Sequence, residues 1–392
     1  MKKKRFFRNL LKHLIQDIRR TFLPKFKIFF HKYEIISQKD KDFFFGYYDL
    51  YPFSNDSSLL LCHSVLKKDK LAEILLVNLK KTKKVIVLDK TQAWSWQLGS
   101  RLRWLNNSNY IGFNSIINGK ECFKIIDKSS KVIKIINFPI YDLCEKKMLG
   151  LSINFGHLKK FRPGYGYETN DSKNYLRLIN LKKNKVIFNL NIKEIFFHIS
   201  FKDIEDYYFN HLNFSKCGNF FSFFFIYQSL GEEKSKLFIY DLKKNSFFPI
   251  TKDNEIPSHL CWLSSGKIII TIVKDSMTNY YEYDINLKRK RLMNFFPNNL
   301  DGHPSENPIY KNLIVTDTYP DRFDNQSLFV VDKKNKKKEK ISYFYNPKHF
   351  FGKKKCDLHP RWSMCGEKIC CDTAYSGKRE IFIIEFKKNK VL

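Results

Sequence analysis

Four histidines recur along the C-terminal half of the chain with a spacing that could assemble a metal site. They are His211, His259, His303 and His359, and they are 48, 44 and 56 residues apart. Asp301 and Asp357 each stand two positions before a histidine, and residues two apart in a strand share a face. Carboxylates and neutral imidazoles that converge on one point are ligands for divalent metals. The pattern predicts a metal site made by His303, His359 and Asp357. The alternatives are a structural role, in which each histidine hydrogen-bonds nearby backbone, and direct contact with a sugar.

Three segments combine aromatic and charged side chains in the way a sugar-binding loop would. They read FRPGYGY from Phe161, TDTYPDR from Thr316 and CDTAYSGKR from Cys371. Tyrosine rings stack on sugar rings, and arginine binds carboxylates with two parallel hydrogen bonds, so an acidic glycan suits this mixture. The alternative is that the tyrosines fill space between sheets. The predicted substrate-binding residues are Tyr48, Asp49, Arg162, Tyr165, Tyr167, Tyr319 and Arg361, and Arg322 or Arg379 is predicted to hold the acid group.

These residues belong to a sequence motif that repeats through the chain. Each copy consists of an aromatic strand start, a turn, an apolar strand, a polar loop and a strand that ends in a Lys-rich turn. Copies begin near Tyr47, Ser100, Tyr141, His211, His259, His303 and His359. Repeats of this length with short strands are typical of propellers. We therefore predict an all-β, seven-bladed propeller of four-stranded antiparallel blades over residues 39–392. A strand near residues 33–37 is expected to complete the ring.

Alternating strand direction sorts the loops of such a propeller onto two faces. The turns between first and second strands, and between third and fourth strands, are rich in lysine and fall on one face. The other loops carry the candidate site residues to the opposite face, where a ligand site is expected. For the lysines we favour a solvating role in hairpin turns, with contact to a membrane or an anionic glycan as the alternative.

Residues 1–38 are predicted to form a basic amphipathic helix and a linker. Phe7, Leu10, Leu14 and Ile18 lie on one helical stripe, and Pro24 ends the helix. Cations surround the stripe, so such a helix could lie in an anionic membrane interface. The alternatives are packing against the propeller and contact with nucleic acid.

Composition narrows the class of protein. The chain has 392 residues with a formal net charge of +32, and it is 43% hydrophobic and 16% aromatic, which excludes global disorder. Nine cysteines without a C-x-x-C pair argue against a zinc ribbon and favour a reducing compartment. The longest uncharged run is too short to span a bilayer. We expect a cytoplasmic protein, peripheral on the inner face of the membrane, and not a nucleic-acid-binding protein, because no such module is recognisable.

Two motifs add a family resemblance. WLSSGK from Trp262 and WSMCGEK from Trp362, each followed by an apolar strand, resemble the TolB-type propeller repeat. The segment DLHPRWSMCGEKICCDTAYSGKREIFII from Asp357 resembles the oligogalacturonate lyase family. That resemblance implies β-elimination on uronates with a divalent metal such as manganese. It implies His303 and His359 as metal ligands and His211 as the catalytic base, with Asp357 in place of a further histidine and Lys354 near the place of a glutamine ligand.

The segments FFGYYDLYPF, FRPGYGY and VTDTYP are also similar to propellers from bacterial surface-polysaccharide gene clusters. Together these features predict a membrane-associated propeller that binds and modifies an acidic surface glycan or its lipid-linked precursor. The competing interpretation is a non-catalytic scaffold for glycosyltransferases or export proteins. The sequence leaves open whether the protein is an enzyme.

Overall fold

Seven antiparallel sheets follow one another along the chain and form the blades of a propeller. The computed structural model describes residues 24–29, 31–66, 70–80, 84–169, 173–199, 203–297 and 299–387. Six sheets have four strands and one has five. The predicted all-β, seven-bladed architecture is confirmed. The predicted N-terminal amphipathic helix lies outside the described residues.

The first three blades are each built from four consecutive strands. Blade one consists of β3 (Lys41–Phe44), β4 (Leu59–Leu66), β5 (Ala72–Asn78) and β6 (Val85–Thr91). Blade two consists of β7 (Arg103–Leu105), β8 (Tyr110–Ile117), β9 (Lys120–Asp127) and β10 (Val132–Ile136). Blade three consists of β11 (Asp142–Cys144), β12 (Leu149–Ile153), β13 (Leu176–Asn180) and β14 (Lys185–Asn189). Two helices join the framework here, α1 (Phe155–Phe161) and α2 (Ile192–Phe196).

Blades four to six continue the pattern. Blade four consists of β15 (Ile204–Phe214), β16 (Phe220–Ser229), β17 (Glu232–Asp241) and β18 (Ser246–Pro249). Blade five consists of β19 (Ile256–Trp262), β20 (Ile268–Lys274), β21 (Met277–Asp284) and β22 (Arg289–Leu292). Blade six consists of β23 (Ser305–Glu306), β24 (Leu313–Asp317), β25 (Asn325–Asp332) and β26 (Lys337–Tyr345), with β1 (Phe26–Ile28) added at its outer edge.

The seventh blade is closed by the N-terminal part of the chain. Its strands β27 (Arg361–Trp362), β28 (Lys368–Thr373) and β29 (Glu380–Glu385) are joined by β2 (Tyr33–Ile36). Tyr33 is paired with Ile384 and Ile36 with Ile381. The predicted closing strand is confirmed, and closure of the ring leaves fewer open sheet edges. Both β1 and β2 belong to propeller sheets although they precede residue 39.

The core lies between neighbouring blades, so many strands bury both of their faces. The strand β16 shows this most clearly, because it reads FFSFFFIYQS and almost every position is buried. A strand covered on both sides needs a continuous apolar run instead of alternation. Stacked rings such as Phe221 on Tyr240, with centroids 4.7 Å apart, fill the space between sheets. This packing explains the high aromatic content of the chain.

The loops fall on two faces, as predicted. We call turn face the side formed by the loops between first and second strands and between third and fourth strands. The opposite side, with the remaining loops, is the site face. Where the structure describes the chain, it contains no helix that is long and apolar enough to cross a bilayer. The nine cysteines are all free thiols.

Candidate functional site

The four recurring histidines lie side by side toward the site face, His211 and His259 within innermost strands and His303 and His359 two residues before them. The ring centroid of His259 is 4.1 Å from that of His303, which is 4.4 Å from that of His359. His211 continues the row at 5.7 Å from His259. His211 and His359 have positive φ angles of 50° and 44°, a conformation that costs a non-glycine residue about 1–3 kcal/mol and concentrates at functional sites. The repeat thus brings together the residues that it places at equivalent positions.

Three of the predicted metal ligands form a compact buried group. One ligand atom each from His303, Asp357 and His359 lies within 4.8 Å of the other two. His303 and His359 are 1% exposed and Asp357 is 2% exposed. The Nε2 atoms of both histidines and Oδ2 of Asp357 have no hydrogen-bond partner within the described structure. Unpaired buried polar atoms are costly, so their convergence indicates a place for a ligand.

Hydrogen bonds on the far sides of the rings orient these two histidines. His359 Nδ1 lies 2.8 Å from the carbonyl oxygen of Gly46, which can only accept, so Nδ1 carries the proton and Nε2 the lone pair. His303 Nδ1 lies 2.8 Å from Oδ1 of Asp317. The same carboxylate accepts from the backbone N–H groups of His303 and His359. Partners of this kind hold metal-binding imidazoles in place. Asp317 lies in the TDTYPDR segment, but sequence reasoning did not assign it this part.

Burial also sets the charge state of two of these histidines, His359 and His211. It lowers the pKa of His359 well below its ordinary value, and the neighbouring His303 lowers it further. The pKa of His211 is lowered in the same way, by burial first and by His259 next. Both rings are therefore neutral at neutral pH. A neutral imidazole is the form that binds a metal or accepts a proton.

Lys355 is a site residue that sequence reasoning missed. Its Nζ forms an ion pair with Oδ2 of Asp357 at 3.0 Å and lies 3.9 Å from the ring centroid of Tyr319. Burial alone would lower the pKa of the Lys355 ammonium, but Asp357, Tyr165 and Asp301 together outweigh it, so the pKa is raised. The sequence offers no signal that distinguishes Lys355 from its neighbours Lys353 and Lys354.

A cavity of about 590 Å³ opens beside this row on the site face. His211, Arg162, Tyr165 and Tyr319 line it, so four of the predicted site residues are brought together. Lys355 also lines it and connects it to Asp357. The three candidate metal ligands lie behind these side chains and not on the cavity surface.

Arg162 and His211 are each held by a tyrosine. Arg162 donates from Nε to the Tyr208 hydroxyl at 2.8 Å and from Nη2 to Glu233 at 2.7 Å, and its side chain is 45% exposed. Nδ1 of His211 lies 2.8 Å from the hydroxyl of Tyr47. Two positioned nitrogen groups therefore border the same cavity, one cationic and one neutral.

Three predicted substrate-binding residues have partners within the protein instead. The Tyr48 hydroxyl donates to the carbonyl oxygen of Leu260 at 2.8 Å. Asp49 accepts hydrogen bonds from Nη1 and Nη2 of Arg101, at 3.0 and 2.7 Å. It lines a different cavity, which lies toward the turn face. The buried Tyr167 ring stacks on Phe155 with centroids 4.7 Å apart. None of the three is among the described residues that line the site-face cavity.

The two arginines predicted to hold the acid group are also placed elsewhere. Arg322 is exposed at a loop tip beside Phe323 and is not among the described residues that line the cavity. Arg379 is 2% exposed, and its Nη2 donates to the carbonyl oxygens of Lys354 and Lys355 at 2.7 Å each. Arg379 therefore positions the loop that carries Lys355.

Arg361 has a structural setting that corrects its predicted contact with substrate. It is fully buried, donates to the carbonyl oxygens of Gly46 and Tyr47, and lies 3.2 Å from both oxygens of Asp372. Replacing Arg361 by alanine is expected to cost about 3–5 kcal/mol of unfolding free energy, because it leaves the Asp372 carboxylate buried without its cation. Urea denaturation measures this loss, and Arg322→Ala is the exposed control. Wild-type stability combined with lost ligand binding would contradict the structural assignment.

The structure was compared with known proteins. It is similar to an oligogalacturonate lyase in complex with manganese, at 14% identity and a TM-score of 0.65, over 94% of this chain and 99% of that chain. It is also similar to an oligogalacturonate lyase from Vibrio parahaemolyticus, at 11% identity and a TM-score of 0.61, over 93% and 100% of the two chains. The Dos1 propeller matches at 12% identity and a TM-score of 0.51, over 92% of this chain and 95% of that chain.

No protein-family model and no curated protein sequence matches the chain. The structural matches have low sequence identity, so they establish the fold. The likeness in fold to oligogalacturonate lyase propellers, which the sequence motifs predicted, is confirmed.

Proposed function

We propose that the protein binds an acidic glycan in the site-face cavity and cleaves it by β-elimination, with a divalent metal held by His303, Asp357 and His359. The observation that carries the proposal is the convergence of three buried ligand atoms, two of them imidazole nitrogens without a hydrogen-bond partner, behind a cavity that Arg162 and Lys355 line. Two imidazoles and a carboxylate suit manganese or a similar metal. The manganese complex of a protein with the same fold supports the choice of metal.

Each residue has a role set by its position. His303, His359 and Asp357 would hold a divalent cation, which would supply Lewis acidity toward the substrate carboxylate. Lys355 and Arg162 border the cavity and provide positive charge for the same carboxylate. They take the part that the sequence assigned to Arg322 and Arg379. The Tyr165 and Tyr319 rings provide faces for sugar stacking.

His211 is the proposed base. With its Nδ1–H donating to the Tyr47 hydroxyl oxygen, Nε2 accepts the proton from the carbon next to the uronate carboxylate. The electron pair released forms a carbon–carbon double bond, and the glycosidic oxygen leaves from the neighbouring carbon. The positive φ of His211 fixes this ring within a register irregularity of β15.

The direct test is product formation. The full-length protein with added manganese is incubated with a set of uronate-containing glycans, and the unsaturated product is followed by ultraviolet absorbance. We expect absorbance to rise with at least one glycan and to stay flat when a chelator is present. If the protein binds a glycan but forms no unsaturated product, the proposed cleavage is wrong and only the proposed binding is supported.

Lys355 gives a prediction of its own. Its ammonium is 3.0 Å from a candidate ligand atom of Asp357, so a cation that binds there meets like charge. Lys355→Met is expected to raise manganese affinity about tenfold, because Coulomb repulsion is strong at this burial. Isothermal titration calorimetry measures the change. Lys353→Met is the matched control, since Lys353 also lines the cavity. Unchanged affinity in Lys355→Met would contradict this competition.

A further inference from the structure

The turn face carries a dense set of exposed cations that the proposed reaction does not use. They include Lys146, Lys147, Lys182, Lys183, Lys243, Lys244, Lys288, Arg289, Lys311, Lys334, Lys336, Lys337 and Lys338. Aspartates of the same turns, such as Asp241 and Asp332, are largely buried at the turn bases and accept backbone N–H groups. Exposed lysines therefore outnumber the exposed acidic residues of this face, such as Asp56, Glu145 and Glu367.

Large apolar side chains stand among these cations. Leu287 is 72% exposed next to Lys288, and Ile309 is 56% exposed two residues before Lys311. Met148 is 43% exposed directly after Lys147. The three come from blades five, six and three. Each of these turn tips thus combines an exposed aliphatic side chain with a nearby cation.

The turns hold two of these side chains out of the core by fixed hydrogen bonds. Asp284 Oδ1 accepts the N–H of Leu287 at 3.1 Å. Asn307 Oδ1 accepts the N–H of Ile309 at 2.9 Å, while its Nδ2 donates to Gly366 at 2.9 Å. Because these turns are anchored, the exposed positions of the two side chains belong to the fold.

We propose that the turn face docks on an anionic phospholipid bilayer, with Leu287, Ile309 and Met148 inserted at the level of the headgroups. The surrounding lysines match the charge of anionic lipids, and apolar insertion adds to that attraction. Nucleic acid is the other polyanion that such a face could meet. Single strands, however, are gripped by aromatic stacking, and the three tips are aliphatic. The observations therefore favour a bilayer.

This docking differs from a contact through residues 1–23. Phe26 is paired with Phe344 and Ile28 with Ser342, so β1 is entered from the site-face end of β26. The described chain thus begins on the side opposite to the turn face. A turn face on the bilayer directs the site-face cavity away from the lipid surface, where a glycan can reach it.

The test is sedimentation of the full-length protein with vesicles of phosphatidylcholine, alone or mixed with phosphatidylglycerol. We expect binding only to the mixed vesicles and a strong dependence on salt. Lys243→Gln combined with Lys244→Gln should weaken binding about 20-fold, because each near-surface cation contributes about fivefold. Leu287→Ser combined with Ile309→Ser should weaken it by about tenfold or more.

Two controls separate the possible outcomes. Leu230→Ser removes a 73% exposed leucine from the site face and should leave binding unchanged. Leu14→Ser tests the alternative contact through the N-terminal segment. Loss in Leu14→Ser with wild-type binding of both turn-face variants would overturn the proposal. It would also be overturned if the combined Leu287→Ser and Ile309→Ser variant bound vesicles as the wild type does while RNA displaced the protein fully from them. The turn face would then bind polyanions in general.

Discussion

His303→Ala is expected to abolish binding of one equivalent of manganese at concentrations that saturate the wild-type protein. The substitution removes one of three ligands whose atoms lie within 4.8 Å of one another. Loss of a residue that only supports a ligand costs about 10- to 100-fold in metal affinity. Loss of the ligand itself should therefore exceed 100-fold. Electron paramagnetic resonance of free manganese, or plasma mass spectrometry after desalting, measures the bound fraction.

Two further variants provide an expected intermediate loss of metal affinity and an unchanged control. Asp317→Asn keeps the shape of the side chain that holds His303 and should reduce affinity by about 10- to 100-fold. His349→Ala removes an exposed histidine outside the row and should bind as the wild type does. Wild-type protein that is folded yet takes up no metal, or equal uptake by His303→Ala, would remove the metal from the proposed function. Binding without metal chemistry would then be the better account.

The repeat explains why so much of the site could be predicted from sequence. Each copy of the motif forms one blade, so a given motif position lies at the same place in every blade. The innermost strands of the blades converge, which brings these positions together. His303, His359 and Asp357 could thus be grouped without knowledge of a single distance. The closing strand at Tyr33–Ile36 was predictable because the seven copies needed one more strand to complete the ring.

The arginines show where such reasoning ends. Arg361 and Arg379 both lie in segments that the sequence places on the site face, yet both are buried. Their side chains are long enough to turn inward, and their direction depends on partners that only the folded chain supplies. For Arg361 the partners are Asp372 on the neighbouring strand and the backbone of Gly46, which is more than 300 residues away in sequence. The spacing of residues along the chain does not predict such contacts.

Lys355 shows the converse case. It stands in a run of three lysines in which charge and hydropathy are the same at each position. Only the folded loop, held by Arg379 at the carbonyl oxygens of Lys354 and Lys355, decides which ammonium faces Asp357. The repeat therefore determines where the histidines and Asp357 lie, and one irregular loop determines that Lys355 is the lysine beside them.

His211→Ala is expected to lower the rate of unsaturated-product formation by about 100- to 10,000-fold, the usual range for a lost general base. Burial lowers the pKa of His211 below its ordinary value, so its neutral form persists into mildly acidic solution. The wild-type rate should therefore decline only as the pH falls below the ordinary titration range of histidine. Measurement of kcat/KM against pH shows where this decline begins.

The decisive comparison is between His211→Ala and His303→Ala. His211 lies beyond His259 in the row and is outside the group of three ligand atoms, so its loss should leave metal binding unchanged while activity falls. Tyr47→Phe should have a smaller effect, because it removes only the oxygen that faces His211 Nδ1 at 2.8 Å. If His211→Ala lost metal and activity together, the histidine would be part of the metal centre and the base would have to be sought elsewhere. If it retained full activity, His259, whose Nδ1 lies 3.1 Å from Asp301, would be the next group to test, because it lines the same cavity.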